Sequence, residues 1–343
     1  MAGRLGRVVA GALLAISSAA CATATSSTAP SGLPAETASP PDPAAVAAHL
    51  AAGLPLFASD PNAAIAVTVD PDAADSSATA TAFEVRYMGA DGWVSALLVE
   101  PASAGLHPAV LLLGGMSGTR RDLLSMAIAL ADAGVVSLLV DPPGARAARI
   151  GPGTQPLNLT VQDRDEQIEL VLDLRRAVTL LVGRSEVDQN AIGFLGSGYG
   201  ADIGGLLAGV DPRLAVSVLE AGDGGLVSHF AALGDASPLA TLTPAARTAW
   251  IAAMDPIEPL YFVGNATGPV LFQSGIQDTK ATATEGARFA AAGNAKSTVH
   301  WYETGHDLGN EASCDAAKFL GDHLGFDGSA DSACGTAPAR PDS

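Results

Sequence analysis

The sequence has few basic residues, and lysine is nearly absent. Among 343 residues there are 18 lysines and arginines against 36 aspartates and glutamates, for a formal net charge of −18 at pH 7. The three lysines are Lys280, Lys296 and Lys318. Binding to a phosphate backbone depends on clustered basic side chains, so we expect no nucleic acid among the partners of this chain.

Cysteine is also scarce, and the three cysteines of the chain exclude a small scaffold held together mainly by disulfides. Apolar residues make up 48% of the sequence, which is too many for a chain that is disordered throughout. The chain is long enough for two average domains, but α/β folds often run larger as one. We therefore expect one main globular domain with a substantial core.

The first 20 residues are typical of an export signal. Arg4 and Arg7 make a positive start, residues 8–16 are uncharged and mostly apolar, and Ser18-Ala19-Ala20 supplies small residues before Cys21. The apolar stretch is shorter than the roughly 20 residues that a membrane-spanning helix needs. Small residues before a cysteine resemble the lipobox of bacterial lipoproteins. This predicts a lipid on Cys21 that anchors the protein to the outer face of a membrane; plain secretion is the alternative.

The next 60 residues precede the main domain. Residues 21–43 are rich in Ala, Ser, Thr and Pro and almost uncharged, which is typical of a flexible tether. Residues 44–80 form an N-terminal extension, for which we predict a short helix over 44–53 and a loop-like segment over 54–80. The main domain is predicted over 81–326, and a C-terminal tail follows it.

The main domain alternates between strand and helix patterns. Phe83, Val85 and Tyr87 alternate with polar residues and Asp91-Gly92 marks a turn, which predicts an antiparallel hairpin. Continuous apolar runs, typical of strands buried on both faces, follow at 109–113 and 135–140, and further strands are predicted at 191–195, 214–219, 269–273 and 298–302. Helix patterns separate them, so we predict an α/β fold with a mostly parallel sheet. Residues 223–265 interrupt the alternation with helical, Pro-containing sequence and are predicted to form a short cap over the ligand crevice.

The stretch Leu195-Gly196-Ser197-Gly198-Tyr199-Gly200 lies where a predicted strand turns directly into a helix. Small residues in that context are typical of a nucleophile elbow. With this elbow the order of elements resembles the α/β-hydrolase superfamily, and within it the dienelactone-hydrolase-like and prolyl-oligopeptidase-like bacterial esterases. The resemblance covers about residues 81–326. It implies the α/β-hydrolase fold, carboxylic-ester hydrolysis and a small-molecule, ester-like substrate or ligand.

The resemblance also implies an acid and a base in two later loops. Asp278 stands three residues after Gly275 at the end of a predicted strand, and His306 follows Gly305, as in members of the family. The chain order of elbow, acid and histidine is the order expected for this fold. Asp278 would then orient the imidazole, and His306 would accept the proton of the nucleophile.

The elbow departs from the family pattern Gly-x-Ser-x-Gly at its centre. Aligned on Gly196 and Gly200, the nucleophile position holds Gly198, which has no hydroxyl. Ser197 lies one residue early, and centring the pattern on it would put bulky residues at both flanking positions. Acyl transfer through a covalent intermediate needs a hydroxyl that the histidine can reach. We therefore predict that hydrolysis is impaired or absent; an active esterase that uses Ser197 as a displaced nucleophile is the alternative.

The loop after the first buried strand reads Leu113-Gly114-Gly115-Met116, where relatives commonly have His-Gly. Main-chain N–H groups survive whatever the side chain, so Gly115 or Met116 and Tyr199 are the expected oxyanion donors. No spacing of His, Cys, Asp and Glu fits a metal site, and we predict neither a metal nor a cofactor. In the cap, His229 either lines the pocket or is a solvent-exposed histidine.

The remaining cysteines lie near the C-terminus. If Cys21 carries a lipid, Cys314 and Cys334 are left as one pair in an oxidising compartment. A bridge between them would close a loop of about 20 residues, add about 3 kcal/mol of stability and tie the tail 327–343 to the last helix. Two free thiols are the alternative.

Overall fold

The fold is built on one mixed β-sheet with helices on both faces. The computed structural model describes residues 38–142, 157–329 and Cys334. The predicted export signal, Cys21, most of the predicted tether and most of the C-terminal tail lie outside these described residues. Within the described ranges, no helix has both the length and the apolar character needed to cross a membrane.

In the described part of the chain the sheet has nine strands, in the spatial order β1-β2-β3-β5-β4-β6-β7-β8-β9. The strands are β1 (Val67–Asp72), β2 (Ala80–Met88), β3 (Trp93–Pro101), β4 (His107–Leu113), β5 (Val136–Val140), β6 (Val187–Ser197), β7 (Val216–Glu220), β8 (Val270–Gly275) and β9 (Thr298–Tyr302). The helices of the same ranges are α1 (Pro43–Gly53), α2 (Leu124–Asp132), α3 (Gln162–Val182), α4 (Tyr199–Val210), α5 (Val227–Ala232), α6 (Pro244–Met254), α7 (Ala283–Ala291) and α8 (Gly309–Leu324).

The pairing of the strands confirms a mostly parallel sheet with an N-terminal antiparallel hairpin. Strands β1 to β3 and the β3–β5 pair are antiparallel, and every pair from β5 through β4 to β9 is parallel. The chain passes through α2 to β5 on one side of β4 and returns through α3 to β6 on its other side. Ligand crevices of open α/β sheets lie at such a reversal, outside the carboxyl ends of the strands. Here that place is the end of β4 and β6.

Both faces of the sheet are buried, which explains the continuous apolar runs. Along β4, Leu111 packs in the core layer shared with α3 and α4, while Leu112 packs in the layer shared with α2 and α8. Alternate side chains of a strand point to opposite faces, so an apolar residue is needed at every position of a strand covered on both sides. The fold therefore has two core layers, one on each face of the sheet.

One element differs from the expectation for the N-terminal extension. The segment 54–80, predicted to be loop-like, contains a 3₁₀ turn and the edge strand β1, which pairs antiparallel with β2. Its residues are mostly exposed, and Pro71 within it is compatible only with an edge strand. A short strand with one free edge and a proline gives a weak sequence signal.

The segment between β7 and β8 is helical, with α5, α6 and several 3₁₀ turns. The indole of Trp250 in α6 is fully buried, and its Nε1–H donates to Asp163 Oδ2 over 2.7 Å. Asp163 is the second residue of α3, which starts on the side of the sheet where the parallel strands end. This contact places α6 at the same end of the sheet as the crevice.

The cysteine pair near the C-terminus is bridged. Cys314 in α8 and Cys334 form a disulfide with their Cα atoms 4.4 Å apart. The pairing confirms the bridge over the alternative of two free thiols.

Candidate active site

Gly198 lies at the tip of the elbow between β6 and α4. Its backbone has φ +57° and ψ −122°, a conformation that side-chain-bearing residues rarely adopt. The Gly198 N–H donates to the carbonyl oxygen of Glu220 in β7 over 2.8 Å, which fixes the turn against the next strand. The chain thus makes the sharp strand-to-helix reversal of a nucleophile elbow with glycine at its tip.

The glycines on either side of the elbow are required by close packing. A Cβ atom at Gly196 would overlap the carbonyl oxygen of Gly200, and a Cβ atom at Gly200 would overlap that of Leu113. Leu113 and Gly196 are also in register on the adjacent parallel strands β4 and β6. The spacing of these glycines therefore centres the elbow on residue 198 rather than on Ser197, which ends β6 opposite Glu220.

The two later loops meet beside the elbow. His306 follows β9, and its Nδ1 lies 2.8 Å from Oδ2 of Asp278, which follows β8. The Asp278 side chain is fully buried, and its Oδ1 accepts the backbone N–H groups of Lys280 (2.8 Å) and Ala281 (3.1 Å). One carboxylate oxygen is therefore held by the backbone while the other faces the imidazole, which fixes the plane of the His306 ring.

The imidazole nitrogen opposite Asp278 faces the elbow. A Cβ atom at Gly198 would lie 3.3 Å from His306 Nε2 and 3.7 Å from its Cε1. Apart from the chain neighbours of Gly198, these are the only atoms of the described residues that it would meet within 4 Å. A side chain at position 198 would thus point at the base. The acid, the base and the nucleophile position of the sequence analysis lie together, with glycine at the nucleophile position.

The expected oxyanion donors lie on the two elements that border the crevice. Gly115 and Met116 belong to the loop after β4, and Tyr199 is the first residue of α4. The N-terminus of a helix presents free N–H groups and the positive end of the helix dipole. Away from the backbone, the Tyr199 hydroxyl donates to Gln167 of α3, so its ring is held on the body of the domain. Their role as oxyanion donors stays a prediction.

The loop after β4 is anchored at its far end by charges that the sequence analysis did not identify. The Arg120 backbone N–H donates to Asp141 Oδ1 (3.0 Å), and its guanidinium donates to Asp141 Oδ2 (2.5 Å) and to Glu84 (2.7 Å). Asp141 is buried at the end of β5, beside β4. The far end of the loop with Gly115 and Met116 is therefore held to the end of β5 and to the middle of β2. No local sequence signal announces a pair of residues 21 positions apart.

The segment 223–229, where the cap begins, and Glu258, which binds it, are called the cap root here. A second histidine–aspartate pair lies in it. His229 Nδ1 lies 2.5 Å from Asp223 Oδ2, and this hydrogen bond raises the pKa of the histidine although burial opposes it. Asp202 of α4 is buried and accepts the backbone N–H groups of Asp223 (2.9 Å) and Gly224 (2.8 Å). Burial and the nearby Asp223 carboxylate hold the pKa of Asp202 well above its usual value. His229 is thus half-buried and paired rather than solvent-exposed and solitary.

Glu258 closes the same cap root. Its carboxylate accepts the backbone N–H groups of Leu226 and Val227 (both 2.8 Å) and the N–H and hydroxyl of Ser228. These contacts hold the start of α5. Among the residues that the structure describes, no three His, Cys, Asp or Glu side chains are arranged to hold a metal ion.

Comparison with known proteins gives relatives at the level of the fold. No family model matches the sequence. One curated protein, "Probable 2-oxo-3-(5-oxofuran-2-ylidene)propanoate lactonase" from Bradyrhizobium sp., is 27% identical over 183 residues. The alignment covers 53% of this chain and 64% of that protein, so this chain spans less than two thirds of its relative.

The solved structures cover more of the chain. An acetyl xylan esterase from Paenibacillus sp. R4 superposes with a TM-score of 0.70 at 18% identity, over 84% of this chain and 98% of that one. Acetyl xylan esterase 1 from Thermoanaerobacterium sp. JW/SL YS485 gives 0.63 at 17% identity, over 84% and 96%. Together with the nine-stranded sheet and the elbow, these similarities establish that the chain has the α/β-hydrolase fold.

Proposed function

We propose that this protein is an exported α/β-hydrolase-fold protein of the carboxylic ester hydrolase type that cannot form an acyl-enzyme. The observation that carries the proposal is the direction of position 198, whose Cβ would lie 3.3 Å from His306 Nε2. The residue there is glycine. The site keeps an oriented base and an acid but has no hydroxyl where the base points, so hydrolysis is impaired or absent.

The neighbouring serine is a poor replacement. Ser197 is the last residue of β6, whereas Gly198 is the tip of the elbow, so the side chain of Ser197 starts one Cα away from the position that faces His306. Catalytic groups depend on position, and a misplacement of about 1 Å can cost roughly 10²-fold in rate. If Ser197 nevertheless acts as a displaced nucleophile, a probe that reacts with activated serines will label it.

The ligand class follows from the kind of site and from the names of similar proteins. The curated relative is named a lactonase and the two superposed structures are esterases, and a lactone is a cyclic ester. We propose a small ester or lactone as the ligand. Its carbonyl oxygen would bind near the N–H groups of Tyr199 and of Gly115 or Met116, and its carbonyl carbon would lie near position 198.

The proposal is tested by labelling the full chain with a fluorophosphonate probe and mapping the labelled peptide. We expect no label in wild type and label on residue 198 in Gly198→Ser, where the new hydroxyl faces His306. Adding His306→Ala to Gly198→Ser removes the base and should abolish the label. Label on Ser197 in wild type, lost in His306→Ala, would overturn the proposal in favour of a displaced nucleophile.

Export with a lipid anchor is a second part of the proposal. Its support is the positive start with Arg4 and Arg7, the small residues before Cys21, and a disulfide that suits an oxidising compartment. In a bacterial host fed an alkyne fatty acid, we expect the wild-type chain to incorporate the alkyne and Cys21→Ser to lose it. Equal incorporation by both chains, or by neither, would contradict lipidation at Cys21.

A further inference from the structure

We propose that the space left by the missing side chain of Gly198 binds a water molecule that His306 activates directly. The site would then hydrolyse, without a covalent intermediate, esters whose leaving oxygen is weakly basic, such as aryl and enol esters. This inference rests on the proposed function, since it needs the ester carbonyl to bind at the elbow. It adds a nucleophile and a substrate class to that site.

The geometry provides the subsite. The Cβ position of residue 198 lies 3.3 Å from His306 Nε2, and apart from the chain neighbours of Gly198 the only described atoms within 4 Å of it belong to the His306 ring. Hydrogen bonds between nitrogen and oxygen have lengths of about 2.7–3.2 Å. A water oxygen in van der Waals contact with the Gly198 Cα, farther out than a Cβ would lie, can thus come within this distance of Nε2 and donate to it. The His306 side chain is 27% exposed, so solvent has access to it.

The base is already oriented for this role. Because Asp278 Oδ2 lies 2.8 Å from Nδ1, the N–H of the neutral imidazole is held on that side. The lone pair of Nε2 is then directed at position 198. Asp278 keeps its orientation through the backbone N–H groups of Lys280 and Ala281. The arrangement is that of a general base whose partner is a solvent molecule instead of a protein hydroxyl.

The reaction balances with water as its only co-reactant. The water oxygen forms a bond to the ester carbonyl carbon while one of its protons passes to His306 Nε2. The carbonyl oxygen gains the negative charge and is stabilised by the main-chain N–H groups beside it. The intermediate then breaks its bond to the leaving oxygen, which takes the proton back from Nε2. The products are a carboxylic acid and an alcohol, phenol or enol.

The substrate class follows from the missing covalent step. A serine hydrolase divides the reaction into two easier steps, whereas direct attack by water meets the whole barrier at once. A weakly basic leaving oxygen lowers that barrier, because it departs with little help from a proton. Alkyl esters are therefore expected to react much more slowly than aryl or enol esters.

The test measures the release of 4-nitrophenol from 4-nitrophenyl acetate by the full chain. We expect wild type to show slow, steady release without a burst, and His306→Ala to lower the background-corrected rate by roughly 10²-fold. Gly198→Ala should lose the activity, because its methyl group fills the subsite. Gly198→Ser should gain a burst, because it restores a hydroxyl.

The alanine and serine variants are matched, since both place a Cβ on the same backbone with φ +57° and differ only in the hydroxyl. Gly92→Ala is the control for strain far from the site: Gly92 has φ +122° at the tip of the β2–β3 hairpin, and a Cβ there meets no described atom within 4 Å. Its activity should equal that of wild type. Equal rates in wild type and His306→Ala, or in wild type and folded Gly198→Ala, would overturn the inference.

A second measurement applies if Gly198→Ala does not fold. Proton transfer to His306 in the rate-limiting step predicts a lower wild-type rate in D₂O than in H₂O, and equal rates would overturn the inference. The fluorophosphonate experiment keeps the two proposals apart. Label on Ser197 in wild type removes the proposed function, whereas an unlabelled wild type without hydrolysis that depends on His306 removes the water subsite alone.

Discussion

Gly198 keeps the elbow in shape, and in the proposed function it also leaves the site without a nucleophilic hydroxyl. A serine at this position would have to adopt φ near +57°, and such sparsely populated conformations cost on the order of 1–3 kcal/mol. Glycine adopts it without steric cost and also lacks the hydroxyl. The elbow is still held by the Gly198–Glu220 hydrogen bond and by the tight contacts of Gly196 and Gly200. Under the proposed function, the absence of strain and the absence of a nucleophilic hydroxyl therefore have the same cause, while Asp278 and His306 stay hydrogen-bonded.

The cap root is the element whose stability depends most clearly on protonation. The loop from Asp223 to α5 is wrapped around three buried carboxylates, those of Asp202, Asp223 and Glu258, and His229 is paired with the second of them. Arg288 of α7 reaches the same place through Ser228 (2.8 Å), and Glu285 on α7 also acts electrostatically on His229. The negative charge of these buried acids favours the protonated forms of His229 and Asp202, whose pKa values are both raised.

We predict that the cap root loses stability as the pH rises. The pKa of His229 is raised in the folded state, so its contribution is complete below its ordinary value of 6.5 and is lost as the pH rises through the folded value. The pKa of Asp202 is also raised, which gives a loss of the same sign from its ordinary value of 3.8 upward. Urea unfolding at pH 6 and pH 8.5 should give the lower midpoint at pH 8.5.

The matched variants separate the cap root from the rest of the chain. His229→Gln removes one titrating group and should reduce the difference between the two midpoints. His323→Gln, which changes an exposed histidine near the end of α8, should leave the difference as in wild type. A difference that is unchanged in His229→Gln, or a higher midpoint at pH 8.5, would show that the cap root does not control this pH dependence.

The elements of the fold could be predicted where burial imposes a pattern. Strands covered on both faces, such as β4 and β5, are apolar at nearly every position, and these runs are visible in the sequence. The β2–β3 hairpin is predicted by the turn dipeptide Asp91-Gly92. The edge strand β1 was missed because one of its edges is free and its residues are mostly exposed, so burial selects no regular pattern.

Some contacts of the candidate site could likewise be predicted from the sequence, and others could not. Asp278 and His306 could be placed through the resemblance to the family, because each lies soon after a glycine near the end of a strand and in the expected chain order, and the structure brings the two side chains within 2.8 Å. The Arg120–Asp141 and Trp250–Asp163 contacts could not be predicted, because they join residues 21 and 87 positions apart through the tertiary fold. The sequence shows which residue types stand at these positions, but it does not show which residues they contact.

At the scale of the whole molecule, two of the few cations form a cluster with acids from several parts of the chain. Arg120 and Arg121 on the turn before α2 bind four carboxylates, those of Asp72 in β1, Asp75 in the loop after it, Glu84 in β2 and Asp141 after β5. These two arginines are thereby neutralised by the chain itself.

The disulfide is the covalent contribution to the stability of the molecule as a whole. Cys314 and Cys334 are 20 positions apart, and closing a loop of that length removes conformational entropy from the unfolded chain worth about 3 kcal/mol. We predict that the double variant Cys314→Ser/Cys334→Ser unfolds at a lower urea concentration, with a free energy of unfolding lower by up to about 3 kcal/mol. Reductant should lower the wild-type midpoint to that of the variant and leave the variant unchanged. A wild-type midpoint that does not respond to reductant would mean that the tail contributes nothing to the stability of α8, and that the bridge serves only to tether the tail.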